Sequence, residues 1–299
     1  MKNLQKLAEL AQALPETVKD NAVDLVGRMG EVIEGFGDAP LEWRPDTLKL
    51  VQGTSDRSKL PKGANIGSFV LGEDLVEQPL RVIPIRSWTS RQYWDPNPDN
   101  AKMLCNSPDA KMGYQYGECG VCAFAKFDED NNKSQCNKTM SFLCVSEDLT
   151  RVFVVNFSKT NYMGGVDWLK TMKTVGVAPY KRVYNMSSQT STKSKNVELI
   201  KVEAVPKTDA NYKVEGALLA FVEELFRISQ EDRQESLVKF YEYVKTRKER
   251  NLSLEAPKDV VLLGAADSSS ANADVTDVVE VAAEVVTAPP NGRASKYKM

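Results

Sequence analysis

Four cysteines constrain this chain more than any other feature. Cys105, Cys119, Cys122 and Cys136 are spaced C-x13-C-x2-C-x13-C, and the chain contains no histidine. The central CGVC can form a knuckle in which two thiolates meet one ion, and one thiolate from each flanking arm would complete a tetrahedral site. Four sulfur ligands suit Zn²⁺ far better than Mg²⁺ or Ca²⁺. With every position filled by protein, such a zinc is structural and not catalytic. The competing readings are free thiols in a reducing compartment and a redox CxxC, for which no βαβ context is visible. The fifth cysteine, Cys144, sits in an apolar run and reads as a small buried hydrophobe.

The absence of histidine removes Ser-His-Asp triads, Cys-His pairs and imidazole general bases together. No glycine-rich phosphate loop is present. The acids Asp95, Asp99, Asp128, Glu129 and Asp130 could in principle serve a metal-dependent nuclease or primase component. The DEDNN stretch reads more simply as a solvated loop, and a non-enzymatic protein is the expectation.

Charge is unevenly placed. The net charge is −2, yet Arg151–Lys201 holds nine Lys/Arg against Asp167 and Glu198, and Leu252–Asn291 holds seven acids against Lys258. A basic middle and an acidic tail suggest a polyanionic partner for the former. No run of about 18 apolar residues marks a membrane span. The opening MKNLQKLAEL lacks a signal-peptide pattern, so a cytoplasmic protein is expected.

Hydrophobic periodicity predicts helices over 2–14 and 16–35, the second starting after Pro15. Strands are expected at 48–51, 66–71, 80–86, 141–146, 151–157 and 196–205, with Pro84 marking an edge or a bulge. A short helix is expected at 165–175, and a long one over 214–249 breaks near Ser229–Gln234. The predicted fold is α+β. It has an antiparallel β core, an OB-like barrel or related sheet, with a four-cysteine zinc subdomain, N- and C-terminal helices and a disordered acidic tail. The divisions are a helical N-terminal arm (1–40), the β core (41–205), a C-terminal helical segment (206–250) and an acidic tail with a basic tip (251–299).

Binding a flexible single strand needs cations along its phosphates and flat side chains against its bases. The core interleaves the two. The candidates are Arg86, Trp88, Arg91, Tyr93, Tyr114, Tyr116, Lys126, Arg151, Lys159, Tyr162, Lys173, Tyr180, Lys181, Arg182, Tyr184, Lys193 and Lys195. The polar, basic stretch 181–195 suits a loop closing over phosphates. Phe69, Phe142, Phe153 and Phe157 sit in alternating strand runs and read as core.

A helical arm, a β core with a cysteine knuckle and an acidic tail together resemble phage single-stranded DNA-binding proteins. The T-even phage helix-destabilising proteins share this layout, but their zinc site includes a His that this chain lacks. The segments GSFVLGEDL, LRVIPIRSWTSRQYWDPNPDNAKMLCNSPDAKMGY and CGVCAFAKF look like podovirus ssDNA-binding proteins, some of which are RNA polymerase cofactors. The likeness covers roughly residues 45–205. It implies binding of ssDNA, and of RNA as a second ligand, in the host cytoplasm during phage replication, recombination or transcription. It also implies self-association, while the charge of the acidic tail itself suits weak occupation of the basic groove and recruitment of replication or transcription proteins. A transcription cofactor recruiting an RNA polymerase is the alternative function.

Overall fold

The structure is a computed structural model, and it describes residues 2–30, 45–97, 102–126, 134–192 and 194–250. Two helices open the chain, α1 (Lys2–Gln12) and α2 (Glu16–Gly30). Strands β1 (Asp46–Leu50), β2 (Phe69–Leu71), β3 (Asp74–Val76) and the long β4 (Leu80–Trp94) follow. Then come β5 (Met103–Ser107), the short pair β6 (Met112–Gly113) and β7 (Gly117–Glu118), β8 (Asn137–Ser146) and β9 (Val152–Ser158). Helix α3 (Tyr162–Val175), the hairpin β10 (Tyr184–Ser191) and β11 (Ser194–Ala204), and helix α4 (Gly216–Arg250) complete it.

The fold is α+β. Nine strands form one sheet in the order β11-β10-β4-β8-β9-β1-β2-β3, with β5 added to the far end of β4. The sheet is mixed where an antiparallel one was expected, because β1 lies parallel to β9 (Asp46 opposite Phe153). A parallel pair needs a long crossover, and the whole span from β2 to β8 supplies it. The sheet curls into an open half-barrel. Its two ends approach through side-chain amides. Gln52 donates from Nε2 to the carbonyl of Glu198 (3.0 Å) and accepts the Glu198 N–H (2.9 Å). Gln78 Nε2 donates to the Gly67 carbonyl, and Gln78 Oε1 accepts the Ser188 N–H.

Alternation along the central strands buries both faces of the sheet. Ile83, Ile85, Leu143, Val145, Val152 and Val154 face a layer made by α1, α2 and α4. Val82, Phe142, Cys144, Phe153, Val155 and Phe157 face the inside of the curl, where α3 inserts Trp168 and Met172. Trp168 stacks on Phe142 with ring centroids 4.2 Å apart. Two successive glycines let α3 come this close. A Cβ on Gly165 would lie 2.9 Å from Phe157, and one on Gly164 would lie 3.1 Å from the Ile200 carbonyl.

The N-terminal helices belong to this body. Leu7, Ala11, Leu25 and Val26 share one core with Phe221 and Leu225 of α4, and Lys6 pairs with Glu224 at 2.9 Å. Helix α2 extends to Gly30 among the described residues, and the expected continuation to 35 lies outside them. Pro84 sits at a bulge between Pro84 and Arg86, on a stretch of β4 whose side away from β8 pairs with no described strand. Both readings of that proline therefore hold. Strand β4 runs on to Trp94, well past the expected end at Arg86, because β8 and β5 give it continuous partners.

Two further expectations are corrected, besides the antiparallel sheet. The loop expected at 181–195 is largely a β-hairpin, since β10 and β11 pair from Tyr184–Ala204 to Ser191–Ser194. The stretch supplies hydroxyl and amide side chains that alternate as a ribbon requires. Helix α4 does not break at Ser229–Gln234. The apolar stripe lapses there because the helix changes partners, from the sheet to the cysteine-bearing segment, and Arg233 crosses the seam to the Pro108 carbonyl. The tail from 251 on, with its acidic stretch and basic tip, lies outside the described residues. No described helix is long and apolar enough to cross a membrane.

Candidate nucleic-acid interface

The four spaced cysteines come together. Cys105 on β5, Cys119 after β7, Cys122 at a single 3-10 turn and Cys136 just before β8 line one small cavity, with Arg91, Ser107 and Tyr116 beside them. Burial pushes the Cys105 thiol up, opposed by the backbone N–H groups of Tyr116 and Gln115 directed at its sulfur. Burial raises Cys119 against the Ser107 hydroxyl and the Arg91 charge. It pushes Cys136 up to about 11, again opposed by Arg91. Two amides, a hydroxyl and a guanidinium aimed at sulfur are the partners a thiolate cluster needs. Gly113 is required here, since a Cβ would lie 2.7 Å from the Cys105 sulfur. As placed, no three Cys, Asp or Glu side chains among the described residues stand close enough together to hold a metal ion. All five cysteines are free, and Cys144 is fully buried in the sheet.

An aromatic stack roofs this cavity. Tyr93 lies flat on Phe124 (4.5 Å), and Tyr116 leans on both. Helix α4 pins the module from behind. Tyr241 donates to Asp109 (2.6 Å), and Arg247 donates to the Tyr114 carbonyl (2.7 Å) and to Gln115 (2.6 Å).

The second feature is a cleft of about 890 Å³ between the C-terminal end of α3 and residues 207–219. Five cations line it, Lys170, Lys181, Arg182, Lys207 and Lys213, with Glu215 the one carboxylate of the lining and Val177, Tyr212, Val214 and Leu219 its apolar side chains. Lys213 bonds Glu215 (3.3 Å), Lys170 bonds Asp167 (3.0 Å) and Lys181 lies 3.7 Å from Glu223. Arg182 donates to the Val205 carbonyl and lies over the Tyr212 ring at 5.7 Å. Glycine 176, at φ 73, ends α3 and turns the chain into this cleft.

The seventeen residues marked in the sequence scatter around these two features. Lys181 and Arg182 line the cleft, Lys173 is exposed on the last turn of α3, and Tyr180 packs on Phe226 at its back. Lys159 is exposed at the entry to α3, and Tyr162 lies under Lys138 (5.5 Å). Tyr116 and Lys126 are exposed on the cysteine module, where Tyr114 donates its hydroxyl to the Met103 carbonyl under Arg247. Arg91 donates to the Ala125 carbonyl (3.1 Å), and Arg151 pairs with Asp74 on the far edge of the sheet.

Three marked aromatics have their faces covered by protein. Trp88 is 8% exposed, sandwiched between the guanidinium groups of Arg86 and Arg233, each 5.0 Å from its ring. Arg86 itself is bound to the Ser229 carbonyl, and its pKa falls to about 9, through burial first and the Arg233 charge second. Tyr93 is closed in by Phe124, and Tyr184 is 1% exposed against Trp168. Lys193 and the side chain of Lys195 lie outside the described residues.

The sequence reading passed over Lys170, Lys207, Tyr212 and Lys213. The last three repeat the basic–aromatic pattern just beyond the boundary drawn at 205. Lys170 and Lys173, three apart on a helix, share a face that their spacing could have disclosed. No family model, curated protein or solved structure matches this chain.

Proposed function

We propose that this chain binds single-stranded nucleic acid, ssDNA before RNA, without catalysing a reaction on it. The observation that carries the reading is the cleft, where five cations and one carboxylate surround an open volume beside Tyr212. Three of the five are paired with carboxylates (Lys170 with Asp167, Lys181 with Glu223, Lys213 with Glu215), so a phosphate exchanges with those pairs, and the strong salt dependence of such binding follows from counterion release. The exposed Val177 offers surface for a base, and Tyr212 lies under Arg182 and Lys213 and so positions those two cations. The resemblance to podovirus ssDNA-binding proteins supports a role in coating ssDNA during phage replication or recombination.

The cysteine module fits a structural zinc in its donor chemistry. Four cysteines line one cavity, and amide, hydroxyl and guanidinium donors face Cys105, Cys119 and Cys136. Cys105, Cys119, Cys122 and Cys136 would hold the ion, which would fix the knuckle and supply no catalysis. The OB-like reading of the half-barrel belongs to the same proposal.

A fluorescence anisotropy titration of the full chain with labelled oligo-dT, RNA and duplex DNA, at low and high salt, tests the reading. Tight, salt-weakened binding to dT, weaker binding to RNA and much weaker binding to duplex is expected. Binding to none of the three would sink it.

A further inference from the structure

Helix α3 joins the cleft to a second cationic point on the same side of the sheet. At its N-terminal end, Lys138 of β8 lies over the Tyr162 ring, and Lys159 stands exposed on a backbone at φ 50. Lys138 sits directly opposite Arg91 across the β4–β8 pair. Like charges facing each other across strands destabilise a sheet. Arg91 turns toward the cysteine module, and Lys138 forms no ion pair among the described residues. Between the two ends the outer face of α3 shows Lys170 and Lys173 to solvent, with Met163 56% exposed at one end and Val177 47% exposed at the other. Its one acid, Asp167, is tied to Lys170.

Resting on the binding reading above, we infer that a single strand runs along α3, one end in the cleft and the other on Lys138 and Lys159. Helix α3 has 14 residues, which makes the track about 21 Å long. Cations at intervals meet successive phosphates. The exposed Met163, half-buried Tyr162 and Val177 between them meet bases, which is the alternation that sequence-tolerant single-strand binding uses.

The test compares two paired variants of the full chain, Lys138→Ala with Lys159→Ala, and Lys207→Ala with Lys213→Ala. Affinity for oligo-dT of about 4 and about 16 nucleotides, the span of common site sizes, is measured across a salt series. On the long oligonucleotide each pair should weaken binding and reduce the slope of log affinity against log salt by about 1.4, or about 0.7 per lost phosphate contact. On the short one a single end suffices, and the Lys138/Lys159 pair should matter far less than the cleft pair. An unchanged affinity and slope for the Lys138/Lys159 pair on the long strand, with the cleft pair impaired, would overturn the track and leave the cleft standing. Failure of the unaltered chain to bind either oligonucleotide would remove the parent reading and the track with it.

Discussion

The curled sheet and the cysteine module are held together by different physics. The sheet buries apolar side chains on both faces, with Phe142, Phe153, Phe157 and Trp168 all at or below 1% exposure. Among the described residues, the module around Cys105 has a core of Tyr93, Cys105 and Cys136, with Leu104, Phe124 and Ala125 packed beside them. At about 25 cal/mol per Å² of apolar surface, these three buried residues contribute far less to ordering their segment than the two-faced core contributes to the sheet. What the module has instead is polar attachment: Tyr241, Arg247 and Arg233 from α4, and donors directed at the sulfurs of Cys105, Cys119 and Cys136. A region with so little apolar burial is where the proposed zinc would matter most, since a bound metal can supply folding free energy that a small core does not.

The largest effect that would break this contrast lies in the sheet. Trp168→Ala removes the ring that α3 sets on Phe142 and leaves a cavity between two layers. A loss of about 3–5 kcal/mol is expected, read as a lower midpoint in urea unfolding. A midpoint shift worth less than 1 kcal/mol would mean that α3 is a loosely held cover and that the inner face of the curl does not depend on it.

The module should respond locally. Purified protein is expected to carry about one zinc per chain, and Cys119→Ser should lose most of it. Amide exchange should then quicken over residues 103–126 and stay slow in β8 and β9. The opposite pattern, with no metal in the unaltered chain and no local change in the variant, would leave the module to its α4 contacts and the cysteines to a free-thiol role.

The two regions also differ in how far the sequence disclosed them. The nearly continuous apolar runs SFLCVS and RVFVVNF placed β8 and β9, because each residue of a strand between two buried faces must be apolar or tightly satisfied. The parallel docking of β1 on β9 left no local trace, since a five-residue strand reads the same in either direction. The continuity of α4 was hidden because a helix that changes partners changes its stripe. The cysteine spacing anticipated that Cys105, Cys119, Cys122 and Cys136 line one cavity, while a tetrahedral metal geometry is not formed among the described residues. The aromatic candidates fared unevenly for one reason: an aromatic beside an arginine reads as a platform, yet Trp88 and its two guanidinium groups form a closed sandwich inside the protein. The cleft was half visible, since Lys181 and Arg182 stand in the basic run, while Lys207, Tyr212 and Lys213 come to them only through the turn of the chain after β11.

The smallest expected effect concerns the helical layer that backs both regions. Glu224 of α4 is 4% exposed, and Arg227 lowers its pKa first, against the upward push of burial, with Lys6 adding to the fall below the usual 4.5. A carboxylate depressed in the folded state contributes stability that is fully present above its unfolded pKa and lost as pH falls through the folded value. Stability of the unaltered chain should therefore exceed that of Glu224→Gln by about 1.5 kcal/mol at neutral pH. The gap should stay level down to about pH 5 and close on further acidification. Because Lys6 joins α1 to α4 through this carboxylate, the same titration reports whether the N-terminal helices stay docked. A gap that persists unchanged well below pH 4 would assign the difference to packing of the amide and would loosen the link between α1 and the helix that pins the cysteine module.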